Sequence, residues 1–151
     1  ANRKALKNFE DLSIQTDRYK LAIEWELLQY KLVVCSLLLN DEPGAAVVAQ
    51  ALEDAAVSAV NLSEVVAKLL ESGMPLEEAE EALGGLGLDV RPFHEGAAWE
   101  AGALRAGTRK AGLSLGDRAC LALARELGAP ALTADGAWAK VSAGVEVRLL
   151  R

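Results

Sequence analysis

The chain is 151 residues long, 52% hydrophobic and 25% charged, with a formal net charge of −6 at pH 7. That balance suits one folded domain with a sizeable core and excludes an intrinsically disordered chain. The negative charge excludes nucleic-acid binding by bulk positive potential, although clustered acids can hold divalent cations that face phosphates instead. No apolar run approaches the roughly 18 residues needed to span a bilayer, so a membrane is not an expected partner. The opening ANRKALKNFEDL has no continuous apolar core and does not read as a secretory signal. Cys35 and Cys120 lie in apolar surroundings without metal-ligand spacing. They read as buried thiols, and a cytoplasmic location is expected.

Residues 1–31 differ from the rest. They hold both tyrosines (Tyr19, Tyr30), both isoleucines (Ile14, Ile23) and no Gly or Pro. Six basic and five acidic side chains give them a net charge of +1, leaving −7 for residues 32–151. This break marks an N-terminal segment of separate origin ahead of a domain spanning 32–151. Ile14, Leu21 and Leu28 recur every seven residues, with Trp25 and Leu32 beside them and Arg18 interrupting the seam. The spacing predicts an amphipathic helix, packed on the domain or a dimer mate, or docked as a partner-like segment in a groove.

Leu32 to Leu39, LVVCSLLL, is a continuous apolar run that suits a buried parallel strand. Asn40 to Gly44 reads as a turn, Ala45 to Ala55 as a helix, and Ala56 to Val60 as a second strand passing into a helix near Asn61. PLEEAEEALGGLG predicts a helix with Pro75 in its first turn and glycines in the turn after it. Leu88 to Phe93 reads as a third strand, EGAAWEAGALRAGTRKAG as one longer helix, and SLGDRACLALAREL as the next. PALTA is a fourth strand, DGAWAKV a short helix and VEVRLL a terminal strand. Strands alternating with helices at this spacing predict an α/β fold, a mostly parallel central sheet covered on both faces.

Three acids fall at element junctions: Glu64 in NLSE, Asp117 in SLGD and Asp135 in TAD. Each has an ordinary explanation. Asn61 and Glu64 approximate a capping box, as do Ser114 and Asp117, and Asp135 can cap the helix beginning DGAW. Such junctions also line one edge of a parallel sheet. Carboxylates meeting there repel unless a divalent cation neutralises them, and Mg²⁺ or Mn²⁺ is the natural occupant.

AVSAVNLSEVVAKL, followed by GLSLGDRACLALARELGAPALTAD, resembles the PIN-domain nucleases, especially VapC-type toxins of bacterial toxin–antitoxin systems. The likeness covers roughly Leu32 to Arg151. It rests on N-x-x-E after a strand, G-D-x-x-x-L-A-x-A on a helix and T-x-D after a strand. The resemblance implies a three-layer α/β/α sandwich and a metal-dependent endoribonuclease that hydrolyses RNA phosphodiester bonds with Mg²⁺ or Mn²⁺. It also implies a homodimer restrained by a cognate antitoxin protein. Glu64, Asp117 and Asp135 would be the catalytic, metal-binding acids, with Thr133 as a supporting polar residue. The family's first strand ends in an aspartate within V-L-D-x-S. Leu32 to Leu37 has no acid here, and only Ser36 matches, as the small hydroxyl residue. That departure motivates an alternative reading, a catalytically inactive PIN-like domain that acts by binding protein.

Arg105 and Arg109 are four residues apart, with Lys110 adjacent and Arg118 next to Asp117. These four can meet RNA phosphates or simply line a solvated helix face. His94, the one histidine, reads as a loop or surface residue, and Trp99 and Trp138 as core or interface.

Overall fold

The structure is a computed structural model that describes residues 21–23, 55–133 and 135–149. Within them five strands form one parallel sheet: β1 (Leu21–Ile23), β2 (Ala55–Ser58), β3 (Asp89–Arg91), β4 (Ala131–Thr133) and β5 (Val147–Leu149). The spatial order is β3-β2-β1-β4-β5. From the central β1 the chain moves outward through β2 to β3. It then returns to the other side of β1 for β4 and β5. In such a sheet the binding crevice opens beyond the carboxyl ends of the strands, where the order reverses.

The helices are α1 (Ala59–Glu71), α2 (Leu76–Gly84), α3 (Glu95–Ala103), α4 (Arg105–Thr108) and α5 (Leu115–Leu127). Two 3₁₀ turns cover Arg109–Ala111 and Gly136–Lys140. All four residues of β2 are buried, as a parallel strand flanked on both faces requires. Helix α5 packs against α1, α3 and strands β1, β2 and β4. Seven of its thirteen residues are buried, four of them Gly or Ala, which lets it approach the sheet closely. It ends on Gly128 at φ 60°, a left-handed cap that suits glycine. The largest fully buried side chain, Trp138, sits in a cluster with Ala56, Leu104, Leu113, Cys120, Leu121 and Leu123.

Three expectations are corrected by the structure. The seven-residue spacing predicts helix through Leu21, yet Leu21–Ile23 pairs with β2 on one side and β4 on the other. Pairing along both edges outweighs a helical hydrophobic repeat. The single helix expected over 95–112 divides into α3, α4 and a 3₁₀ turn ending at Gly112, φ 74°. Gly102 and Gly107 weaken helix continuity there, and the left-handed Gly112 stops it. Trp99 is not core: it is 75% exposed on α3. The strand expected over Leu32–Leu39, with Cys35 and Ser36, the turn after it and the helix expected over Ala45–Ala55 lie outside the described residues, except Ala55, which opens β2 instead. The strands near 56–60, 88–93, 131 and 147 and the helices over 75–84 and 114–127 are present within a few residues of the expected bounds. Among the described residues no helix is long and apolar enough to cross a membrane.

Candidate metal centre

Strand β2 passes directly into α1. Ser58, its last residue, caps the helix by accepting a hydrogen bond from the Val60 amide at 3.3 Å. The helix therefore begins two residues before Asn61, and the capping box expected of Asn61 and Glu64 does not form. Instead Asn61 lies inside the first turn and is fully buried. Its Nδ2 donates to the Gly116 carbonyl of α5 at 3.1 Å, a bond between residues 55 apart in sequence.

Glu64 follows three residues later, on the same face of α1 as Asn61. Its carboxylate presses on Gly116 so closely that a Cβ there would lie 2.6 Å from Glu64 Cδ. Only glycine leaves that space. Glu64 Oε2 and Asn61 Oδ1 are both buried and have no hydrogen-bond partner among the described residues.

Asp117 stands one residue beyond Gly116. The capping box read from Ser114 and Asp117 is present: Ser114 N donates to Asp117 Oδ2 at 2.6 Å, and Asp117 N donates to Ser114 Oγ at 3.1 Å. The cap occupies Oδ2 and fixes the carboxylate at the mouth of α5. Burial raises the Glu64 pKa above its ordinary value, and the negative charge of Asp117 raises it further, with the Asn61 amide opposing both. Because the folded pKa exceeds the unfolded one, Glu64's stabilising contribution is complete below the ordinary glutamate value. It is lost as the pH rises through the raised value. The ionised form of Glu64 is therefore the one that burial and Asp117 both disfavour.

Asp135 follows β4 and caps the second 3₁₀ turn, its Oδ1 accepting from Ala137 N at 2.8 Å. Its own amide donates to Oγ1 of the fully buried Thr133 at 3.0 Å. Among the described residues no three His, Cys, Asp or Glu side chains gather closely enough to hold a metal ion. Glu64 and Asp117 come together, then, but Asp135 does not complete a three-acid group with them.

The basic residues divide. Arg118 donates to the carbonyls of Ser114 (3.1 Å) and Ala101 (2.8 Å), which ties the start of α5 to the end of α3. Arg105 donates to the Leu113 carbonyl at 3.4 Å. Arg109 and Lys110 are exposed on the first 3₁₀ turn. His94 is a surface residue that serves the fold. Its Nδ1 accepts from Ala97 N at 3.2 Å and caps α3, while Nε2 faces Glu126 Oε2 at 3.1 Å.

Sequence reasoning missed Asn61 and Gly116 as parts of the site. The signals were there: Asn61 and Glu64 share a helix face, and a glycine directly precedes Asp117.

A parallel α/β sheet with two apposed carboxylates, one on the helix after β2 and one at the mouth of a neighbouring helix, defines an acid-bearing α/β domain. The PIN domain family model matches residues 33–144, which contain Glu64, Asp117 and Asp135. The chain belongs to the PIN domain family. Its fold is similar to that of a toxin–antitoxin complex from Klebsiella pneumoniae, with TM-score 0.59 and 17% identity over 87% of this chain and 98% of that one. It is also similar to VapBC2 from Rickettsia felis bound to a DNA fragment from their promoter, at TM-score 0.60 and 16% identity, again over 87% and 98%. FitAB bound to the IR36 DNA fragment gives TM-score 0.58 and 19% identity over 86% and 94%. Comparison with curated protein sequences finds no match.

Proposed function

We propose that the chain is a divalent-metal-dependent endoribonuclease, the VapC-like toxin of a toxin–antitoxin pair, and that Glu64 and Asp117 are the core of its metal site. The observation that carries this is the buried Glu64 Oε2, left without a partner among the described residues beside a second carboxylate. Two apposed negative charges with an unpaired buried oxygen are costly unless a cation is bound between them. Hard carboxylate oxygens fit Mg²⁺ or Mn²⁺. Glu64 would hold the ion from α1 and Asp117 from the mouth of α5; Asp135, at the end of β4 and outside that pair in this structure, would join only by moving toward the ion. When bound, the ion would lower the pKa of a water and offset charge on a phosphodiester.

Asp117 also keeps the α5 cap in place, so both functions hang on one side chain. Arg109 and Lys110 are the exposed cations available to RNA phosphates. Arg105 and Arg118 are engaged with backbone carbonyls. A cognate antitoxin, a homodimer, a three-layer sandwich and a cytoplasmic setting belong to the same reading, supported by family membership and by the complexes to which the fold is similar.

The absence of any acid in Leu32–Leu39 favours a second reading, a silent PIN-like module that binds protein. RNA cleavage with Mn²⁺ or Mg²⁺ separates the two. Asp117→Asn retains an oxygen for the Ser114 cap while removing the charge, so the fold should persist. Cleavage should fall on the order of 100-fold. Equal cleavage by both proteins would remove Asp117 from the site, and no cleavage by either would favour the silent module.

A further inference from the structure

We infer that Asn61 is a positioning residue for the metal site: its amide ties the first turn of α1 to the first turn of α5 and holds the Glu64 carboxylate toward Asp117. The inference rests on reading Glu64 and Asp117 as cation ligands. It concerns a residue that touches neither substrate nor reacting atoms and acts through Glu64.

Three features carry it. The Asn61–Gly116 bond is fully buried and joins the two elements that bear the acids, so it fixes the spacing between them. Gly116 has two roles at once, offering its carbonyl to Asn61 and its bare Cα to the Glu64 carboxylate. A shift of α5 by the width of a methyl group would therefore break the clamp and unseat the carboxylate together.

The third feature concerns the other end of the amide. Donation from Nδ2 to Gly116 fixes which way the amide faces, and Oδ1 is left buried without a partner among the described residues. A buried acceptor in that state is costly. A clamp serving stability alone would be better made by a side chain with a donor and no second polar atom to bury. Asn61 Oδ1 and Glu64 Oε2, three residues apart on one helix face, are two buried acceptors without a partner among the described residues. No donor among the described residues meets them, and the cation read at Glu64 and Asp117 would bring positive charge to this end of the helix face.

The test is a double-mutant cycle read by calorimetric titration with Mn²⁺ alone, alongside thermal denaturation of the metal-free proteins. Asn61→Ala should weaken Mn²⁺ binding by about 10–100-fold, the scale of lost supporting contacts in metal sites. Glu64→Asp keeps a carboxylate but withdraws it from Gly116 and Asn61. In that background Asn61→Ala should change the affinity by less than about threefold, since interacting residues are not additive. If circular dichroism shows Asn61→Ala unfolded, Asn61→Ser, which keeps a shorter donor, takes its place under the same expectation.

Equal losses in both backgrounds, or a lowered melting temperature with unchanged Mn²⁺ affinity, would overturn the positioning role and leave the cation reading standing. Wild-type protein that binds no Mn²⁺ would overturn the cation reading, and the role of Asn61 with it.

Discussion

Gly116→Ala should cut metal-dependent RNA cleavage by about 10–100-fold while leaving the protein folded, the scale on which loss of a supporting contact acts in metal sites. The methyl group would fall inside the Glu64 carboxylate, 2.6 Å from Cδ, so that the carboxylate must swing away. The move is cheap for the fold. Glu64 Oε2 has no hydrogen bond to lose among the described residues, and the carboxylate is the flexible end of its side chain. Alanine in place of glycine also favours a helix by roughly 0.5–1 kcal/mol. The melting temperature should hold or rise while activity falls, a combination that a general packing defect does not produce. Cleavage at the wild-type rate would show that the seat of Glu64 does not matter.

Trp138→Ala should have the opposite profile, a large loss of stability with no direct claim on the chemistry. Trp138 is fully buried in a core otherwise made mainly of Ala, Leu and Val. No neighbour is large enough to fill the space, and the expected cost is about 3–5 kcal/mol. Urea denaturation monitored by far-ultraviolet circular dichroism measures it. Trp138→Phe separates the two parts of that loss. The indole Nε1 is buried without a partner among the described residues, and an unpaired buried donor costs about 1–3 kcal/mol. Phenylalanine keeps much of the volume and removes the donor, so its cost should be well below that of alanine. Equal destabilisation by both variants would assign to the indole nitrogen a role that the contacts do not provide.

The parts of this fold that could be read from sequence are those where one signal dominates. A short run of small apolar residues before a helix marked β2, and Ser114 and Asp117 marked the start of α5. Boundaries were harder. Ala59 and Val60 suit a strand as well as a helix, so the start of α1 was placed too late and Asn61 was given a capping role that belongs to Ser58. Leu21–Ile23 became the central strand against its helical repeat, because pairing with β2 and β4 is a tertiary effect that local spacing does not encode. Trp99 suits core or interface by its hydrophobicity alone, and its exposure removes the first of these.

The site divides in the same way. That Asp117 and Asp135 cap their elements was legible from local spacing, and both do. That Glu64 comes near enough to Asp117 to feel its charge was not, since it depends on α1 and α5 meeting at Gly116. Capping and metal binding are compatible for Asp117, whose cap engages Oδ2. Glu64 caps nothing, and its ionised form is disfavoured by burial and Asp117, as expected of a group held for a ligand.

The central claim is that Glu64 is held beside Asp117 for a cation. Thermal denaturation at neutral pH, with and without Mn²⁺, tests it on the wild-type protein and Glu64→Gln. Without metal, Glu64→Gln should melt above the wild type, because the amide removes a charge that burial and Asp117 both disfavour. At about 100 times the dissociation constant, Mn²⁺ should stabilise the wild type by about 2.7 kcal/mol. The variant should gain little. Equal stabilisation of both proteins by Mn²⁺, or a metal-free variant that melts below the wild type, would contradict the account.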